Sequence, residues 1–496
     1  MMQLKIYNTL GRKKENFVPR EEGKVKIYSC GPTVYYDPHI GNFRSFIFAS
    51  LWGDLFRALG YEVSHTMNIT DVGHLTDDGD HGEDKMEKGA RKEGITAWDV
   101  ARKYESNFRE YIKKLNIYFD NMPRATDHIQ GQIDIVKMLE DKGYTYEITG
   151  DGIYMDTSKV KGYGKLLPKG HLEGIQSGER VEDVGKRNPT DFALWKFNVT
   201  GKARDMERES PRGIGFPGRH IECSAMARAT LGDFIDIHTG GIDHVPVHHT
   251  DEIAQSECSF TDGKQWVNYW IHNQFLNIDS QKIAKSAGNS FSLPEIENRG
   301  YDPLDLRYFF FQAHYRSFQD FTWEGMEAAR RARKNLKKRL QMIIEDSGGF
   351  QNIAENLKMD VVKSAEDLRD GLKDEWVKIA FDKIWGVLLD DLDVVKMMAN
   401  LNTAVSDVLK SGKNIDMEGF LKVIYWLDSR VLKLGLFKED EDIEIPEEVS
   451  ALAKARREAK LSKNYDLADE LREKLEKLGW EMLDGKDGYQ MKRQDK

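Results

Sequence analysis

The chain has 496 residues, three cysteines and 83 acidic against 73 basic side chains, for a net charge of −10. That length predicts more than one domain. Three cysteines without a framework of pairs exclude a disulfide-stapled secreted module and suit a reducing cytoplasm. No apolar run is long enough to span a membrane, and the first residues, MMQLKIYNTLGRKK, hold no signal-peptide core.

In chain order, VKIYSC reads as a short buried strand through Val25 and Ile27 that ends at Cys30. A loop, GPTVYYDPHIGN, follows it. A helix is expected from about Phe43 through RSFIFASLWGDLFRAL, stopping at Gly60, and YEVSHTMNIT reads as a second strand. Strand, helix and strand at this spacing predict a βαβ unit of a parallel sheet. The start of that helix carries His39, Gly41 and Asn42. Free N–H groups and the helix dipole favour phosphate there, and a glycine lets a ligand approach the backbone. Alone, the four letters HIGN also fit an ordinary turn.

Strand-like pieces such as GDGIYMDTS fill residues 120–205. Cys223 lies in HIECSAMARA, and VHHTDEIAQ sets His248 and Glu252 four residues apart, on one face of a helix. Cys30, Cys223, His248 and Glu252 together make a plausible tetrahedral zinc set. Ordinary buried cysteines fit the same spacing. KIAKS places Lys282 and Lys285 in a loop suited to polyphosphate, or simply to solvent. Further on, ARRARKNLKKRL is a basic helix: a solvated face, or an RNA phosphate contact through Arg333, Lys337 and Lys338. Amphipathic helices (WVKIAFDKIWGVLLDDL, FLKVIYWLDSRVLKL), the acidic run KEDEDIEIPEE, a helical segment and a small hairpin around Asp-Gly complete the chain.

The order of CGPTVYYDPHIGN, NITD, DFALWK, PGRHIECSAM, GGIDHVPVHHTDEIAQ and QKIAKSAGN along one chain resembles the cysteinyl-tRNA synthetases, a class I aminoacyl-tRNA synthetase family. The likeness runs nearly end to end. HIGN resembles the family's HIGH-type signature and KIAKS its KMSKS loop. Cys30, Cys223, His248 and Glu252 match the family's zinc positions.

The resemblance implies an α/β fold with a Rossmann-like parallel-sheet catalytic domain over residues 1–325. That domain has an insertion at about 120–205 and a connective segment at about 291–325. A helical tRNA and anticodon-binding region at 326–437, an acidic linker at 438–448 and a small C-terminal module at 449–496 follow. It implies a ligase that activates L-cysteine with ATP and Mg2+ and transfers it to the terminal ribose of tRNA-Cys, as a monomer with one zinc. The zinc would distinguish a thiol from a hydroxyl, a difference that apolar contact reads only weakly. His39, Gly41, Asn42, Lys282 and Lys285 would hold and neutralise the phosphates. Thr70 and Asp243 would lie near the amino acid, Asp243 against its α-ammonium. His249 is expected behind the ligands, and Cys258 in packing. Two alternatives are a cysteine ligase acting on a small amine, which would lack the helical tail, and a non-catalytic tRNA-binding relative. One departure stands out: Arg208, Arg212 and Arg219 occupy positions where the family tends to have tryptophan. A codon read as tryptophan in the source organism, or ordinary divergence, would account for this.

Overall fold

The computed structural model describes residues 3–72, 85–168, 185–198, 206–210, 213–283, 288–347, 362–411, 415–438, 447–462, 464–484 and 489–493. The chain opens with an antiparallel hairpin, β1 (Lys5–Asn8) and β2 (Lys13–Asn16). Then come β3 (Lys24–Ser29) and β4 (Glu62–Met67), parallel to each other from Lys24↔Glu62 to Ser29↔Met67. The helix Ile40–Ala58 crosses between them, so the expected βαβ unit is present. Its start precedes the expected Phe43 because His39 caps it, and Gly60 turns the chain away at φ +89°. It is buried on nearly every side, with Phe43, Ile47, Leu51 and Leu55 all fully covered. One face packs on the sheet, and its far end meets the segment Asp428–Leu432 of the helical region.

The inserted segment builds an antiparallel sheet, ordered β5-β6-β7-β9-β8 in the numbering that follows. Its strands are β5 (Thr145–Ile148), β6 (Gly152–Met155), β7 (Phe192–Phe197), β8 (Arg208–Ser210) and β9 (Gly213–Pro217). The sheet therefore runs past the expected limit near 205. Trp195 pairs with Pro217, and glycines at 215 and 218 allow this, since a Cβ at Gly218 would lie 1.9 Å from the Ala193 carbonyl oxygen.

After the helix Ile221–Leu231, β10 (Ile235–Gly241) returns to the central sheet. The helix His248–Ser259 and β11 (Val267–Asn273) follow. All four strands are parallel, in the order β11-β10-β3-β4. From β3 the chain builds outward to β4 on one side and later to β10 and β11 on the other. The carboxyl ends of β3 and β10 thus flank a topological switch point, where an open α/β sheet leaves a crevice.

A three-stranded sheet, in the order β13-β12-β14, comes next. It comprises β12 (Leu276–Ile278), β13 (Gln281–Lys282) and, after the helices Leu293–Asn298 and Pro303–Phe310, β14 (Gln319–Phe321). The helical region comprises Trp323–Asp346, Ala365–Gly371, Glu375–Leu388, Val394–Ser411 and Met417–Leu427. Its amphipathic faces share one hydrophobic core with the catalytic sheet. Lys433 Nζ reaches buried Asp54 Oδ1 on the helix Ile40–Ala58 at 2.7 Å. The final module has its own small core: helices Glu447–Leu461 and Tyr465–Lys477 with the antiparallel pair β15 (Trp480–Asp484) and β16 (Tyr489–Arg493). Residues 439–446 of the acidic run lie outside the described residues.

Candidate active site and metal centre

Cys30 leaves β3 at the switch point. The loop it opens is pinned by main-chain bonds: Cys30 N–H donates to the Thr239 carbonyl (3.1 Å), Val34 N–H to Thr70 (3.0 Å), and Thr70 N–H to Pro32 (3.0 Å). The Asn68 amide oxygen accepts from Gly31 N–H at 2.8 Å. Only glycine fits at 31, since a Cβ there would lie 1.8 Å from the Asn68 carbonyl oxygen. A cavity of about 310 Å³ opens above this loop, and its walls include Cys30, His39, Asn42, Arg219 and Asp243. Residues from three separate stretches of sequence thus face one space.

His39 and Asn42 cap the helix reciprocally. Asn42 N–H donates to His39 Nδ1 at 3.3 Å, and His39 N–H donates to Asn42 Oδ1 at 3.1 Å. The capping box satisfies two helix N–H groups and fixes the imidazole at the positive end of the dipole. Gly41 lies against the lysine segment: a Cβ there would sit 2.8 Å from Ile283 Cδ1. The two signature motifs therefore touch. Lys282 is exposed on β13, with Nζ 5.7 Å from the Phe275 ring centroid. Lys285 lies outside the described residues.

The ligand atoms of Cys30, Cys223, His248 and Glu252 all lie within 4.8 Å of one another. Cys223 comes from the helix Ile221–Leu231, and His248 and Glu252 from one face of the helix His248–Ser259. Glu252 is fully buried. Its oxygens lie 2.9 Å from His248 Nε2 and 2.8 Å from His238 Nε2. Two thiols, an imidazole and a buried carboxylate within 4.8 Å of one another fit a borderline-soft cation such as zinc. Burial opposes charge throughout the cluster. Glu252 and Cys223 outweigh it at His248 and raise its pKa to about 10, while the His238 and His248 imidazoles hold the Glu252 carboxyl well below the usual range. Burial raises the Cys30 thiol well above its ordinary value.

Around this set lies a shell of histidines that the sequence reading passed over, apart from His249. His249 lies behind the ligands as expected, with Nε2 3.2 Å from Cys30 Sγ and Nδ1 2.7 Å from His272 Nε2. His272 in turn meets Thr9 Oγ1 at 2.7 Å. Burial pushes both imidazoles well below their ordinary pKa, which favours their neutral forms. His220 meets His248 at 2.7 Å, Nδ1 to Nδ1. Its place three residues before Cys223 was the available signal. His238, inward on β10, and His244, half-buried on the cavity wall, complete the shell.

Other expected site residues take different places. Asp243 is exposed on the cavity wall. Thr70 is not on the cavity wall; it is 93% buried, its hydroxyl accepts from Asn68 Nδ2 at 2.9 Å, and its backbone pins the Cys30 loop. Arg333, expected as an RNA contact, is buried in the protein. Nη1 bonds Asp305 Oδ1 and Nε the Leu434 carbonyl, both at 2.9 Å. The helix Trp323–Asp346 turns that residue toward the core, whereas Lys338 is exposed and Lys337 half-buried. Of the three arginines, Arg219 lies on the cavity wall and Arg208 stacks over Trp98 at 4.9 Å. Arg212 lies outside the described residues. Cys258 is half-buried beside Tyr144 and Phe260, in packing as expected.

Residues 16–331 match the family model described as the tRNA synthetases class I (C) catalytic domain. The chain is 42% identical over 492 residues to the cysteine–tRNA ligase of Treponema denticola, a match covering 96% of this chain and 97% of that one. It is 40% identical to cysteine–tRNA ligase 1 of Burkholderia lata, covering 99% and 97%. Among solved structures, the Mycobacterium tuberculosis methionyl-tRNA synthetase bound by methionyl-adenylate superposes with a TM-score of 0.55 at 15% identity, covering 84% of this chain and 93% of that one, a likeness of fold. The chain belongs to the cysteine–tRNA ligase family of class I tRNA synthetases.

Proposed function

We propose that this chain activates cysteine with ATP and transfers it to tRNA, and that a zinc ion held by Cys30, Cys223, His248 and Glu252 reads the substrate thiol. The convergence of those four ligand atoms, of which Cys30 lines the crevice that His39 and Asn42 also line, supports this reading. When bound there, zinc would supply a soft Lewis-acidic position that favours a thiolate over a hydroxyl.

The remaining chemistry belongs to this chain's own residues. In the first step the cysteine carboxylate oxygen attacks the α-phosphorus of ATP and pyrophosphate leaves. No protein nucleophile is needed, so the residues position the reactants and stabilise developing charge. Asp243 pairs with the α-ammonium, which aims the carboxylate. His39, Asn42 and the N-terminus of the helix Ile40–Ala58 receive phosphate oxygens of ATP–Mg2+, with Gly41 leaving room. Lys282 and Lys285 neutralise the departing pyrophosphate. In the second step a terminal ribose hydroxyl of tRNA attacks the activated carbonyl and AMP leaves. The helical region and C-terminal module hold the tRNA at a distance from this chemistry, with Lys337 and Lys338 as phosphate contacts.

The test compares zinc-loaded and chelator-stripped protein in ATP–pyrophosphate exchange with cysteine and with serine, and in charging of tRNA with labelled cysteine. Cysteine-dependent exchange and charging that follow zinc content, with serine activated very poorly, are expected. Full activity in metal-free protein, or equal exchange with both amino acids, would overturn the role given to the metal.

A further inference from the structure

Arg44 sits one turn into the helix whose start carries His39 and Asn42. It is fully buried, and among the described residues no carboxylate bonds it. The guanidinium instead donates to four main-chain carbonyls. Nη1 bonds Gln274 and, at 3.2 Å, Phe275; Nη2 bonds His314 at 3.1 Å and Ser317 at 2.7 Å. A buried cation without a counter-ion is a costly element, and neither a lysine nor an apolar side chain reproduces its fork.

The acceptors belong to the two segments that enter the β13-β12-β14 sheet. Gln274 and Phe275 form the link from β11 to β12; His314 and Ser317 precede β14. β12 pairs antiparallel with β13, Asn277 opposite Lys282, and parallel with β14 from Leu276↔Gln319 to Ile278↔Phe321. The residue after Arg44 adds a second tie, since Asn273 Nδ2 donates to Ser45 Oγ at 2.9 Å.

We propose that Arg44 is a positioning residue that sets the separation between the His39 end of its helix and the strand pair bearing Lys282. It touches neither ATP nor cysteine. It acts by bolting the small sheet to the helix, so that Ile283 rests against Gly41 beside the His39 end. The inference rests on the phosphate-facing role proposed for Lys282.

The experiment uses full-length, zinc-loaded protein with Arg44→Lys, which keeps the charge and loses the fork. Cysteine-dependent ATP–pyrophosphate exchange should show kcat lowered about 100-fold, the scale of an ångström of misplacement. The KM for cysteine should stay within about twofold, because the cysteine site is untouched. Zinc content should not change, and trypsin should cut after Lys282 faster than in the parent. A residue that merely stabilised the fold would lower zinc content and all parameters together. A folded Arg44→Lys protein with kcat within about threefold of the parent and unchanged cleavage overturns the inference while the proposed function stands. Failure of the zinc-loaded parent to exchange sinks both. If Arg44→Lys does not fold, Asn273→Ala, which cuts the second tie, decides: a lower kcat at constant cysteine KM and zinc content supports the inference, and an unchanged kcat overturns it.

Discussion

Replacing Gly41 by alanine isolates the contact between the two signature motifs. Gly41 lies in the first turn of the helix Ile40–Ala58, so the backbone accepts a Cβ there, and helix propensity favours alanine by up to about 1 kcal/mol. The new methyl would sit 2.8 Å from Ile283 Cδ1 and 3.1 Å from both Cε1 and Nδ1 of His39. Carbon atoms rest at roughly 3.5–4.0 Å, so Ile283 must retreat by about 1 Å and the imidazole by a few tenths. The Ile283 end is flexible, and the steric cost should roughly cancel the helix gain. Stability, read by urea unfolding, should therefore change by less than about 1 kcal/mol. Activity should not be spared. Displacing the lysine segment and tilting His39 by these amounts should lower kcat for ATP–pyrophosphate exchange by about 10- to 100-fold, with the KM for cysteine nearly constant. Adding Ile283→Ala to Gly41→Ala should recover the share of the loss that arises at the loop. A Gly41→Ala protein that exchanges at the parent rate would refute the claim that this contact sets the geometry.

Cys223→Ser replaces a soft ligand with a poor one and should weaken zinc binding by more than about 10-fold, with cysteine activation falling in parallel; metal analysis beside exchange kinetics checks it, and normal activation in zinc-free Cys223→Ser protein would contradict it. Arg333→Met should destabilise the fold by about 3–5 kcal/mol, because Asp305, 1% exposed, would be left without its cation; a change below about 1 kcal/mol in denaturant unfolding would count against the pair. The double change Lys337→Ala and Lys338→Ala should leave exchange intact and reduce the salt dependence of tRNA binding by about one to two phosphate contacts, and an unchanged slope would remove these lysines from the interface. Glu105 is opposed by burial, but Arg124 and Arg109, at 2.6 and 2.9 Å, outweigh it and lower its pKa. Its stabilisation is therefore present above the unfolded carboxylate pKa of about 4.3 and is lost as pH falls through the folded value. Glu105→Gln should flatten the acid limb of the stability curve, and curves that stay parallel down to about pH 3 would argue against the shift.

The parts of the fold readable in the sequence are those whose causes are local. Alternating Val25 and Ile27, the apolar helix between His39 and Gly60, and the four-residue spacing of His248 and Glu252 each depend on neighbours within one or two turns, and each appears in its expected element. The inserted sheet runs past 205 because β8 and β9, short and rich in glycine and charge, are strands only by pairing, β9 on the edge of β7 and β8 on β9 in turn. Arg333 was misplaced for a related reason. In a helix dense with lysine and arginine, composition does not say which cation faces inward, and the acidic partner lies 28 residues earlier in the chain.

The same distinction explains the active site. Cysteine spacing proposed four ligands, but nothing local marked His238, His249 and His272 as one connected shell, because β10, β11 and the helix His248–Ser259 meet only after the sheet has closed. The order of strands supplies what spacing lacks. β3 and β10 diverge at the switch point, so Cys30 and Asp243 emerge side by side from stretches more than two hundred residues apart. A glycine follows the end of β3 and two glycines end β10, at Gly31, Gly240 and Gly241, and a Cβ at Gly240 would lie 2.7 Å from His244 Nδ1 and His249 Cε1. Side chains are excluded from the sheet's end so that imidazoles and thiols can occupy it. A methyl at Gly240 would thus crowd the histidine shell while leaving all four proposed ligands chemically intact, and zinc binding in such a protein would report how far ligand identity alone, without that packing, builds the centre.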